Sequence, residues 1–200
     1  MHPAPSIILF TVLSGFGFGL ISITGLLQFF NQISIFDLIT FSILGIIFST
    51  VGLVSSFFHL ANKKNAIKSM SQWQTSWLSR EAISSIFCLL LVVANIGWVF
   101  LQNMYINEVG IVLFFLALFT IFTTSMIYAQ LKTVPSWNNI FTPAIFIFAA
   151  LSGGAILLTI YASIVTLLVF GTLQILFWYI ADRDFKDKET SVGTALGFDA

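Results

Sequence analysis

The sequence predicts an all-α integral membrane protein, a bundle of about six transmembrane helices. Only 8% of the residues are charged and 58% are hydrophobic, whereas a soluble domain carries about 25% charged residues. The mean hydropathy is +1.01. The apolar residues are collected into runs of 18 or more, the length that a helix needs to cross a bilayer core of about 30 Å. These runs do not alternate apolar and polar residues as β-barrel strands do, so helices are predicted.

The apolar runs define six predicted spans. The last run, 142–181, is too long for one helix in a bilayer and is therefore divided into two spans, with a turn predicted near 161–163. A charged and polar tail, 182–200, follows the membrane domain 1–181. The predicted spans are about 7–30, 36–60, 82–102, 110–130, 142–160 and 162–181.

The first span contains Gly15, Gly17 and Gly19. A Gly-x-Gly-x-Gly run is found in phosphate-binding loops, but those loops require a turn from a strand to a helix. Within a membrane span, small residues let helices approach closely, so a packing role is predicted here. Asp37 begins the second span, where a carboxylate favours a helix N-terminus.

The segment 59–81 is a polar link between spans 2 and 3. Four of its residues recur at spacings of 4, 3 and 4, which places them on one helical face and predicts a short amphipathic helix at the membrane interface. Its tryptophans would be anchored among the lipid headgroups. Ser79 is the predicted N-cap of span 3, which would place Glu81 in the first helical turn. The four residues are Ala66, Met70, Trp73 and Trp77.

The basic residues predict the topology. With six spans, the N-terminus, the link, the 131–139 loop and the tail share one side of the membrane. All eight Lys and Arg residues fall on that side, four of them in the link. The positive-inside rule then predicts a multi-pass protein whose termini and link are cytoplasmic.

Several kinds of site are disfavoured by the scarcity of ionisable residues. No charge is securely placed within the hydrocarbon region, which argues against an ion pump with a midplane carboxylate relay. A haem between helices usually needs two axial ligands, most often histidines, and the two histidines include His2 at the terminus. The single cysteine, Cys88, allows neither a disulfide framework nor a thiolate cluster. No haem or metal is therefore expected in this chain.

His59 and Glu81 flank the link at one membrane depth. Each has a structural interpretation, as a group at a helix end, and a chemical one, as a proton acceptor. Together they suit an apolar, membrane-dissolved substrate that releases protons on oxidation, of which a quinol is the obvious candidate. Arg80 would either steer a quinone oxygen or extend to lipid phosphate. Trp73 and Trp77 are candidate contacts to the quinone ring, or interfacial anchors.

The pattern HLAN at 59–62, followed by Ala66 and by SWLSRE at 76–81, resembles the DmsC family. The family pattern is close to H-L-G-x-P-x-R-A followed by S-W-L-S-R-E, and this chain departs from it at 62–65, where it reads NKKN. The opening MHPAPSIILFT, the segment KTVPSW and the tail's TALG agree with the family as well. Family members usually carry two more spans than the six predicted here.

The resemblance implies a membrane anchor subunit of a molybdopterin oxidoreductase complex. The anchor would be a non-catalytic, quinone-binding subunit that exchanges electrons between the quinone pool and an iron–sulfur subunit. Molybdopterin and iron–sulfur clusters would belong to the partner subunits, in a dimethyl sulfoxide reductase-like or a sulfite dehydrogenase-like complex. A cytoplasmic link favours the sulfite dehydrogenase-like branch.

Two other functions are compatible with the sequence. One is a structural membrane anchor without a quinone site. The other is a small non-redox transporter, which should show broken helices or polar midplane residues. Gly153-Gly154 and Pro143 are the features of that kind, and both have packing explanations.

Overall fold

The computed structural model describes residues 5–56, 58, 70–134, 136–158 and 160–187, with the backbone alone at 160–162 and 184–187. This part of the chain contains six helices that are long and apolar enough to cross a membrane. The predicted all-α membrane bundle is confirmed. A short 3-10 helix, Met70–Gln72, lies between the second and third helices. The six are α1 (Pro5–Phe29), α2 (Ile35–Ser56), α3 (Trp77–Gln102), α4 (Asn107–Ala129), α5 (Phe141–Leu158) and α6 (Ile160–Asp187).

The start of α3 differs from the sequence-based expectation. Ser76 is the N-cap: its backbone is extended and its hydroxyl accepts a hydrogen bond from the Ser79 N–H. The predicted cap at Ser79 is wrong, because Ser79 lies inside the helix and is fully buried. Trp77 is consequently the first residue of the membrane helix rather than part of an interfacial helix. Glu81 lies beyond the first turn and deeper in the bundle than predicted.

Helix α1 is the centre of the bundle and packs against α2, α4 and α5, whereas α6 packs mainly on α5. Glycines bring α1 close to each of its three neighbours. Gly17 lies against the backbone of Ser49 on α2, and Gly19 lies against the backbone of Ala150 on α5. A Cβ at Gly25 would be 2.6 Å from the carbonyl oxygen of Gly110 on α4. In lipid, association depends on such close packing rather than on a hydrophobic driving force.

The predicted packing role is thus confirmed at Gly17 and Gly19, and it is wrong at Gly15. A Cβ at Gly15 would meet no atom within 4 Å. Gly15 and Gly19 are four residues apart and lie on the same face of α1, whereas Gly17 points elsewhere, and on that shared face only Gly19 reaches the backbone of α5. Gly15 faces open space beside α1.

A hydrogen-bonded pair of buried side-chain amides connects the C-terminal halves of α1 and α3. The Asn95 Nδ2 donates to the Gln28 Oε1 at 2.9 Å. The Gln28 Nε2 in turn donates to the carbonyl oxygen of Ile106 at 2.8 Å, just before α4. Both amides are at most 4% exposed, and an unpaired amide in an apolar medium is costly. The pairing therefore fixes α1, α3 and the start of α4 relative to one another.

We expect Gly19→Ala to destabilise the protein by about 1–3 kcal/mol, since the added methyl group would overlap the Ala150 carbonyl group. Gly97→Ala is the matched control, because a Cβ at this α3 glycine, unlike one at Gly19, would meet nothing within 4 Å. Thermal unfolding of the detergent-purified protein measures both. Equal stability of the two variants would contradict the packing described for α1.

Candidate functional site

Glu81 is a buried carboxyl group at the interface between α3 and α4. It is 3% exposed, and its Oε1 accepts a hydrogen bond of 2.7 Å from the Thr124 hydroxyl. It lies four residues from the start of α3, or roughly 6 Å along the helix at 1.5 Å per residue. An ionisable side chain at this depth is expensive and is by default a candidate for function.

The Thr124 hydroxyl has two acceptors. Besides the carboxyl oxygen of Glu81, it lies 3.0 Å from the carbonyl oxygen of Thr120 on its own helix. A hydroxyl carries a single hydrogen, and its oxygen can accept as well as donate. One helical turn deeper, the hydroxyls of Ser84 and Thr123 lie 3.3 Å apart. Three hydroxyl groups on this part of the α3–α4 interface can therefore rearrange hydrogen bonds without carrying charge.

Arg80 is directed to the membrane surface. Its Nε donates to the carbonyl oxygen of Trp73 at 2.8 Å and its Nη2 donates to that of Gln74 at 2.6 Å. The guanidinium carbon lies 4.2 Å from the ring centroid of Trp77. Arg80 thus holds the turn before α3, and no cation among the described residues is paired with Glu81.

The other predicted site residues are distributed around this turn. Trp73 is 56% exposed at the surface. Trp77 packs edge-on against Phe122 of α4, with the ring centroids 5.8 Å apart. Trp77 is therefore the tryptophan that contacts the helix carrying Thr124. His59 lies outside the described residues, so its proximity to Glu81 stays a prediction.

A cavity of about 370 Å³ lies next to this site, between α1, α4 and α5, and Phe170 of α6 also contributes to its wall. Thr124 is part of its wall, so one side chain separates Glu81 from the cavity. Gly15 and Phe18 form the α1 side, and Phe146 and Ala150 form the α5 side. The volume lies in the range of about 300–1,000 Å³ that is typical of ligand pockets.

Thr124 carries little signal in the sequence. It belongs to a short run of hydroxyl side chains in α4, but Ser and Thr in membrane helices usually bond to carbonyl groups of their own helix. Thr120 and Ser125 do so here. Thr124 differs from Thr120 and Ser125 because its hydroxyl also contacts Glu81, where α3 and α4 lie side by side. Among the described residues, no group of three or more His, Cys, Asp or Glu side chains is arranged to hold a metal ion.

The fold and the site define a multi-pass helical membrane protein with a buried carboxyl group near the membrane face that carries the polar link. The family follows from comparison with known sequences. The profile of the DMSO reductase anchor subunit (DmsC) family matches residues 1–181. The chain therefore belongs to the DmsC family.

A curated relative is a sulfite dehydrogenase subunit from Allochromatium vinosum, which is 31% identical over 182 residues. The match includes 82% of this chain and 56% of the relative. The chain thus spans little more than half the length of that protein.

We expect Thr124→Val to destabilise the protein by about 1–3 kcal/mol, because it removes the hydroxyl and leaves the Glu81 carboxyl group buried without its partner. Thr124→Ser keeps the hydroxyl and should retain most of the stability. Thermal unfolding in detergent is the measurement. A valine variant as stable as the serine variant would show that the hydrogen bond to Glu81 contributes little.

Proposed function

We propose that this chain is the membrane anchor subunit of a molybdopterin oxidoreductase complex and exchanges electrons between the quinone pool and an iron–sulfur subunit. Membership of the DmsC family supports the anchor role. The observation that carries the quinone assignment is Glu81, a buried carboxyl group at the membrane face with Thr124 between it and a ligand-sized cavity.

In this proposal the chain binds the quinone and exchanges protons with it, and the redox cofactors belong to the partner subunits. When a quinol is oxidised, Glu81 and His59 accept its protons, and the electrons pass to the iron–sulfur subunit. The same groups return protons when a quinone is reduced. The apolar walls of the cavity exclude water from the reacting oxygen, which keeps the proton on the path defined by Glu81 and Thr124.

The polar link is the proposed docking face for the partner subunits. It holds half of the basic residues of the chain, and Arg80 fixes the turn at its end. Three lysines of the link, Lys63, Lys64 and Lys68, lie outside the described residues. We propose that this face is cytoplasmic in a bacterial inner membrane, as the distribution of Lys and Arg favours. The name of the Allochromatium relative supports the sulfite dehydrogenase-like branch.

We expect Glu81→Gln to lower quinone-coupled turnover by about 10²-fold or more, the usual contribution of a positioned acid or base. The assay uses membranes that contain the assembled complex. Glu108→Gln is the matched control, since Glu108 is an exposed carboxylate at the start of α4 on the opposite face. His59→Ala should also lower turnover.

Wild-type turnover in Glu81→Gln would contradict the quinone assignment and favour a structural anchor without a quinone site. Turnover with an artificial redox partner that replaces the quinone separates the two functions: an electron acceptor if the complex oxidises its substrate, or an electron donor if it reduces it. It should be unchanged in both glutamine variants if the complex still assembles.

The topology is tested by cysteine accessibility in a Cys88→Ala background. Thr75→Cys places a thiol in the exposed turn before α3, and Met104→Cys places one in the loop between α3 and α4, where Met104 is 59% exposed. A membrane-impermeant maleimide should label position 104 in spheroplasts and position 75 only after lysis. The reverse pattern would place the link outside the cytoplasm.

A further inference from the structure

We propose that the cavity between α1, α4 and α5 holds the isoprenoid chain of the quinone, with the ring at the Thr124 end. This inference rests on the proposed function and deepens it, because it assigns the part of the molecule that binds the apolar portion of the substrate. Three features of the cavity support it: the depth of the cavity, the chemistry of its walls and its opening towards lipid.

The depth of the cavity follows from the helix ends. The Ser55 hydroxyl donates to the Ser6 carbonyl group, so α2 ends beside the start of α1. The bond between Thr124 and Glu81 likewise places the end of α4 beside the start of α3. At 1.5 Å per residue, the cavity residues of α1 and α5 lie about 6–20 Å below these ends. Thr124, about 8 Å from the end of α4, is at the shallow end of this range.

The walls of the cavity are apolar apart from a few hydroxyl groups. The Thr11 hydroxyl donates to the Ile7 carbonyl group at 3.1 Å, and the Ser14 hydroxyl donates to the Phe10 carbonyl group at 2.5 Å. Both are therefore satisfied by their own helix. Thr124 is the lining residue that connects to an ionisable group. An occupant that matches this wall has one hydrogen-bonding end and a long hydrocarbon portion.

The α1 side of the cavity opens towards lipid. Val12 lies at the edge and is 60% exposed, and Gly15 contributes no side chain. A membrane-dissolved molecule can thus enter sideways and slide its chain between the helices without crossing the aqueous phase. A phospholipid acyl chain shares this apolar chemistry, but it lacks a ring that exchanges protons at Thr124 and Glu81.

The test fills the cavity from Gly15. A Cβ at Gly15 would meet nothing within 4 Å, and Gly15 lines the cavity, so we expect Gly15→Phe to place its ring in the cavity. Gly97→Phe is the matched control on α3, at a glycine that is exposed and does not line the cavity. Turnover is measured in membranes with the assembled complex, using quinols, or quinones if the complex oxidises its substrate, that carry short or long isoprenoid chains.

For the wild type and Gly97→Phe, we expect KM to be lower for the long-chain quinol. In Gly15→Phe the long-chain KM should rise about tenfold, to the short-chain value, with little change in kcat. An unchanged preference for the long chain in Gly15→Phe would overturn the inference. If Glu81→Gln still lowers turnover by about 10²-fold in that case, the proposed function stands, and only the assignment of the cavity to the isoprenoid chain fails.

A second measurement needs no variant. A quinone analogue with a photoreactive group at the end of its isoprenoid chain is added to wild-type membranes, and the labelled peptides are identified by mass spectrometry. Labelling within 11–18 or 145–153, or at Phe170, supports the inference. Labelling confined to segments that do not line the cavity overturns it.

Discussion

The bundle depends on the close approach of α1 to three neighbouring helices. Lipid tails are as apolar as the helices, so burial of apolar surface contributes little, and backbone proximity must supply the association. Gly17, Gly19 and Gly25 face α2, α5 and α4 respectively, and each lies against backbone atoms of its neighbour. Where α1 has no such contact, at Gly15, the helices separate and leave the cavity. The glycines of α1 therefore account both for its contacts with the neighbouring helices and for the cavity.

The site follows from this arrangement. Gly25 and the amide pair of Gln28 and Asn95 fix one end of α4 against α1 and α3. With that end held, α3 and α4 meet again at the opposite membrane face, where the Thr124 hydroxyl donates a hydrogen bond to Glu81. A carboxyl group in the membrane is stable only with such a partner. Its position next to the cavity is thus a result of how α1 spaces the helices around it.

Much of the architecture can be predicted from the sequence, because span length and polarity are local properties. The six helices and the choice of Glu81 as a candidate site residue follow from them. The start of α3 does not, since Ser76 and Ser79 are both competent caps, and only the burial of Ser79 decides between them. Thr124 cannot be predicted either: its hydroxyl is one of several in α4, and its role arises from a residue 43 positions away in sequence.

The two acceptors of the Thr124 hydroxyl have a consequence for the proton exchange that we propose at Glu81. When Glu81 is a carboxylate, Thr124 donates to it; when Glu81 is a carboxylic acid, Glu81 donates to Thr124, whose hydrogen turns to the Thr120 carbonyl group. The hydrogen bond between Glu81 and Thr124 is kept in both states, and the change between them is the addition of one proton and the rotation of one O–H bond. The heavy atoms can stay in place, so loading and unloading the proton demands little reorganisation of the protein.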